Sequence, residues 1–119
     1  MIRLDLAREP FWLDLGIGVR LHLRPCTTAL VLAARQAVRD ADMTDDPPDL
    51  VQGRRTATFL KAMGRLAILG WEGVGDADGT PVEPTPTGID ALLDLHPVAD
   101  AFSLRYLGPV ALLEQEKNV

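Results

Sequence analysis

Alternating aspartates before a glycine open many calcium-binding loops, and Asp76-Ala77-Asp78-Gly79 has that outline. The alignment breaks at both ends. Setting Gly79 at the sixth loop position puts Val74 at the first ligand position and Thr85 at the twelfth, where a bidentate carboxylate belongs. The same residues make a turn: Asp78-Gly79 suits the type I′ geometry, whose two central residues both take φ > 0, and Val74 and Val82 flank it at hairpin distance. A short hairpin closed by Asp78 and Gly79 is expected, with no metal.

The other reactive side chains do not assemble into a catalytic set. Ser103 is the only serine, and no histidine stands in a recognisable partner motif. A hydroxyl bonded to its own backbone is the ordinary use of such a residue. His22 falls on the polar side of an alternating stretch, and His96 precedes Pro97 at a helix junction, where it caps or packs. Cys26 adjoins Pro25 and a helix start, a place where a thiolate can be stabilised, although a lone cysteine more commonly fills a small buried space. Asp90 and Asp94 share one helical face and could hold a proton or a cation; the alternative is a solvated acidic face. With no nucleophile beside a base and no metal set, neither an enzyme nor a cofactor is expected.

One cationic constellation stands out. Arg54, Lys61 and Arg65 project onto a narrow stripe of a long helical pattern, in a chain whose formal net charge is -5. Such a stripe either grips an acidic partner or pairs locally with the chain's own carboxylates. Beside it, Leu50, Gly53, Ala57, Leu60, Gly64, Ala67, Ile68 and Trp71 form a broad apolar arc, and Phe59, Met63 and Leu66 extend it on the other side. That arc is wider than one core face requires, so the small-residue side is assigned to the core and Phe59, Met63 and Leu66 to a partner.

The elements that position these residues follow from periodicity and stop signals. In the first 24 residues, Ile2, Leu4 and Leu6, then Phe11, Leu13 and Leu15, then Val19, Leu21 and Leu23 alternate with polar side chains, which predicts two or three antiparallel strands. Pro25 ends the last, and Thr27 or Thr28 caps a helix that buries Leu30, Ala33, Ala34, Ala37, Val38 and Ala41 and fades near Asp42. Five aspartates and two adjacent prolines between Asp40 and Asp49 form a linker. Asp46 is expected to cap the next helix, from about Pro47 to about Gly70, with Asp49 in its first turn. Thr85-Pro86 starts a helix carrying Ile89, Leu92 and Leu93, and Pro97 starts another carrying Val98, Ala101, Phe102 and Tyr106. Gly108-Pro109 should kink or break it before helical spacing resumes from Val110 to Glu116.

These elements add up to an α+β fold that is mainly α. A small N-terminal antiparallel hairpin or three-stranded sheet precedes about four helices, with a short hairpin near residues 72–83. At 119 residues and 47% hydrophobic composition, one domain spanning residues 1–119 is expected. The negative charge argues against nucleic acid, whose affinity comes largely from phosphate neutralisation. A single cysteine excludes an internal disulfide and a multi-cysteine zinc site, and no secretion or membrane-insertion pattern stands out, so a reducing cytoplasm is the expected setting.

Several short motifs, spread over nearly the whole chain, resemble one family. They are the hairpin ending in Leu23-Arg24-Pro25, the helix carrying Arg54-Arg55 and Trp71, and the run from Trp71 to Pro86 with its Asp78-Gly79-Thr80-Pro81-Val82 turn. Pro97-Val98-Ala99-Asp100-Ala101-Phe102 and Glu116-Lys117-Asn118 complete the set. Together they look like the small tail assembly chaperones of siphophages, prophages and gene transfer agents. The resemblance implies a non-enzymatic factor of the bacterial host cytoplasm that binds the tape measure protein, shields its apolar helices and recruits tail tube protein subunits. It also implies absence from the mature particle, and such chaperones often have a second, frameshifted form. Self-association is a further contact left open; a structural tail or neck protein retained in the virion is the alternative, and a small enzyme the weaker one.

Overall fold

The alternation read in the N-terminal part forms an antiparallel hairpin of β1 (Phe11–Asp14) and β2 (Arg20–Leu23). The structure is a computed structural model that describes Met1, Leu4 and residues 8–109. The strand expected over residues 2–6, Leu4 apart, and the helical stretch from Val110 to Glu116 lie outside the described residues. Gly16 and Gly18, both with φ near +80°, carry the reversal (78° and 81°), and Leu15 N–H closes it on the Val19 carbonyl at 2.9 Å.

The third strand comes from an unexpected place. β3 (Ile68–Glu72) pairs antiparallel with β2, so the helix expected to run to Gly70 ends at Ala67. Register explains the switch. Phe11, Leu23 and Ile68 lie across one another on one face, as do Leu13, Leu21 and Trp71, and on a pleat the β-branched Ile68 and aromatic Trp71 pack better than on a fraying helix end that contains Gly70. A bulge between His22 and Leu23 leaves Leu69 exposed. On the outer face the Trp12 and His22 rings stack with centroids 5.0 Å apart, and Arg20 lies over Trp12 while pairing with Glu72 at 2.9 Å.

Among the described residues, four α-helices follow or interrupt the sheet. α1 (Thr28–Asp40) is capped by the Thr27 hydroxyl, which accepts from Leu30 N–H at 3.3 Å. It buries Ala34 fully and Leu30 and Val31 in part, whereas Ala33, expected inside, is exposed. α2 (Val51–Ala67) starts later than expected, after a 3-10 turn at Pro48–Leu50, and Asp46 does not cap it. The reason is local: a residue before proline is pushed toward extended backbone, and Pro47, with ψ 138°, therefore cannot open the helix. Asp46 pairs with Arg54 instead, at 3.2 Å. α3 (Pro86–Leu93) has the expected cap, with Thr85 accepting from Gly88 N–H at 3.0 Å.

α4 (His96–Phe102) continues into a π-helical turn, Ser103–Leu107. The break expected at Gly108-Pro109 does not fall within the described residues: the backbone stays helical at Gly108, with φ -53° and ψ -46°, and the π-helical turn lies just upstream. Arg105 and Tyr106 from this turn reach back to the hairpin. Arg105 donates to the Asp14 carbonyl at 2.8 Å, and the Tyr106 hydroxyl donates to the Arg24 carbonyl at 2.6 Å, with burial pushing the phenol upward in pKa. Leu15, Leu21, Leu23, Met63 and Phe102 are the largest fully buried side chains, and sheet and helices contribute to one core cluster.

The turn after β3 is a hairpin of a different kind from the one expected. Gly79 takes φ +81°, but among the described residues no non-glycine has positive φ, so Asp78 does not occupy a type I′ position. Asp76 N–H bonds the Thr80 carbonyl at 2.9 Å and Gly79 N–H bonds the Asp76 carbonyl at 3.0 Å, the pattern of a three-residue loop ending in left-handed glycine. The Asp76 carboxylate accepts from the N–H groups of Asp78 and Thr80, at 2.9 and 3.0 Å. That pair of bonds gives the aspartate a structural task within the loop. Trp71 Nε1 then ties the far strand down through the Val82 carbonyl at 2.6 Å.

Candidate functional site: a cationic groove along the second helix

Helical spacing carries Arg54, Lys61 and Arg65 to one side of α2, and α3 meets that side near its C-terminal end. Gly64 makes the approach possible. A Cβ there would overlap Leu93 Cδ1 and stand 3.0 Å from Ile89 Cγ2, so the contact holds only without a side chain. With the helices this close, Lys61 Nζ meets Asp94 at 2.6 Å, and Arg65 makes a two-point pair with Asp90 whose Nε contact is 2.8 Å. Ascending numbers on α2 meet descending numbers on α3, so the two run antiparallel at this contact.

Past the end of α3 the stripe continues with α1 alongside it and α3 no longer covering it. A groove of about 340 Å³ is left there, with Ala37 of α1 on one wall and Arg54, Thr58, Lys61 and Ala62 of α2 on the other. The Arg65–Asp90 pair closes its end. The hydrogen bond from Arg65 holds the Asp90 carboxyl below the usual aspartate range, and its own guanidinium is raised in return. Side-chain exposures are 56% and 21% for Arg54 and Asp46, 29% and 60% for Lys61 and Asp94, and 52% and 28% for Arg65 and Asp90, so solvent reaches one partner of each pair and none is worth more than about 1 kcal/mol. Chemically, the groove is a row of solvated cations over a small alanine floor, suited to carboxylates.

Not all of the expected partner residues join it. Arg54, Lys61 and Arg65 are brought together, although each is occupied by one of the chain's own aspartates. Met63, expected as a surface anchor, is fully buried, because with Leu60 and Ala67 it lies on the α2 face that enters the core. Phe59 is half-buried against that core, and Leu66 is 41% exposed. Leu66 follows Arg65 and is turned roughly 100° away from it, so it does not line the groove. Thr58, Ala62 and Ala37 were absent from the expected set. Thr58 could have been found as the residue between Arg54 and Lys61 on the same stripe; Ala37 belongs to another helix and leaves no local signal.

The remaining reactive groups sit apart. Cys26 is half-buried and burial pushes its thiol upward in pKa, which favours the protonated form. His22 is stacked on Trp12, and Ser103 lies in the π-helical turn. Among the described residues no group of three or more His, Cys, Asp or Glu side chains is arranged to hold a metal ion, and no helix is long and apolar enough to cross a membrane. A second hollow, about 500 Å³, lies between the end of α1 and the start of α2, lined in part by Val38, Met43, Val51 and Arg55. No family model, curated protein or solved structure was found to match this chain.

Proposed function

We propose that this protein is a non-enzymatic tail assembly chaperone of a phage, prophage or gene transfer agent, acting in the bacterial cytoplasm. In this reading it binds the tape measure protein along α2, helps recruit tail tube protein subunits and leaves before the particle matures. The motifs from Trp71 to Pro86 and from Pro97 to Phe102 support the family. The observation that carries the binding mode is the groove itself: an acidic chain concentrates three cations on one side of α2 and holds each by an ion pair with one solvent-exposed partner. A client carboxylate can replace an exposed internal one at little cost, and a complex built this way also releases.

Co-expression with the tape measure protein tests the reading. Wild-type protein should keep it soluble and co-purify with it, whereas Arg54→Glu combined with Lys61→Glu should lose both properties while retaining its helical circular dichroism. Equal solubility and recovery with the variant would place the client surface elsewhere. Mass spectrometry of purified particles addresses the retained structural protein: a stoichiometric signal would overturn the chaperone assignment.

A further inference from the structure

The contact between α2 and α3 is a worked example of what the open part of the groove can accept. On the covered half, cations four residues apart, Lys61 and Arg65, face carboxylates four residues apart, Asp94 and Asp90, in the opposite chain direction. α3 then stops at Leu93, and the chain turns away into α4 from His96. Thr58 and Arg54, about one and two turns nearer the start of α2, continue the same line beside Ala37 and Ala62, with Arg54 held by Asp46 from the preceding linker. Arg54 and Lys61 are seven residues apart, roughly 10.5 Å along the helix.

We propose that this open half binds a helical segment of a partner protein whose carboxylates are spaced seven residues apart, lying antiparallel to α2 in line with α3. One carboxylate replaces Asp94 on Lys61, and the other replaces Asp46 on Arg54. Asp94 is thereby an internal competitor: it holds Lys61 while the groove is empty and gives it up when a better-placed acid arrives. Its 60% exposure makes the exchange easy, and an acidic helix is selected because the cations of the groove already hold carboxylates in this arrangement, one for one. The helical form of the partner follows from α3, which meets the other half of the same stripe as a helix. The inference rests on the groove being a binding surface and not on the client being a tape measure protein.

Fluorescence anisotropy with two synthetic alanine-rich helical peptides provides the test. One carries glutamates at i and i+7; the other has the same composition with glutamates at i and i+5. The first should bind at low salt, and the shift in spacing should weaken it by about tenfold, as should Arg54→Gln. Asp94→Asn should tighten the first peptide by roughly three- to tenfold, because Lys61 no longer has to be released. Equal affinity for the two peptides would overturn the spacing, and unchanged or weaker binding by Asp94→Asn would overturn the competitor role. Peptide binding with these signatures, together with failed tape measure co-purification, would sink the chaperone reading and leave this one standing.

Discussion

Gly53 and Gly64 lie on the same side of α2, about three turns apart, and have opposite surroundings. At Gly64 an added Cβ would overlap Leu93 and crowd Ile89; at Gly53 nothing lies within 4 Å. The same division runs through the whole helix. Leu60, Met63, Gly64 and Ala67 are buried, whereas from Gln52 to Thr56 every side chain is exposed. Small residues therefore do not define a contact on their own. What divides α2 is the length of α3, which covers the side of Gly64 but stops short of Gly53, leaving that side of the N-terminal half open beside α1 along the cationic groove.

Truncating Met63 should break the comparison most visibly. Met63→Ala leaves a cavity beneath a fully buried side chain and should cost about 2–5 kcal/mol in urea unfolding, while Leu66→Ala, one turn away and 41% exposed, should cost far less. Equal midpoints would place Met63 outside the core. Gly64→Ala comes next, at about 1–3 kcal/mol from overpacking against Leu93 and Ile89. Gly53→Ala should do the reverse and stabilise by up to about 1 kcal/mol, since the new methyl meets open space and alanine is the better helix former. Opposite signs at two glycines of one helix are a sharp criterion, readable in a single set of melts.

The smallest effect concerns the pair that closes the groove. Asp90 has its folded pKa lowered, first by the hydrogen bond from Arg65, so its contribution is whole above the unfolded value of about 3.9. It fades as pH falls from there through the lower folded value. Because the pair is largely exposed, the contribution should stay under about 1 kcal/mol. Wild type and Asp90→Asn should therefore differ slightly at pH 7 and converge once pH falls below the lowered folded pKa of Asp90. A difference that persists in acid would mean that the asparagine disturbs packing, not charge.

Much of this architecture was legible from local signals. Period-two alternation located β1 and β2, Thr27 and Thr85 capped the helices where hydroxyls precede helical spacing, and Pro97 marked the start of α4. β3 was not legible as a strand, because Ala67, Ile68 and Trp71 continue the helical period of α2 and only pairing with β2 rewards the extended form. Ile68 and Trp71 around Gly70 were the available hint. The prolines at 47 and 48 likewise contained the information that displaced Asp46 from its expected cap, through the restriction on the residue before proline. Tyr106 on Arg24 and Arg105 on Asp14 join residues far apart in the chain, and nothing local announces them.

At the candidate site the individual charges were legible and their partners were not. Arg54, Lys61 and Arg65 appeared as one stripe, and Asp90 and Asp94 as another, but that they meet depends on the antiparallel approach through Gly64. Met63 was misassigned for a related reason: a helix apolar over so much of its circumference does not reveal which arc the rest of the fold will cover.

Hydrogen–deuterium exchange on the protein alone and in complex with co-expressed tape measure protein tests the central claim most directly. The account predicts new protection across residues 51–61 of α2 and the neighbouring turn of α1 at Ala37, with the already buried Met63, Gly64 and Ala67 unchanged. Protection confined to the outer face of the sheet around Trp12 and His22, with residues 51–61 exchanging as in the free protein, would contradict it.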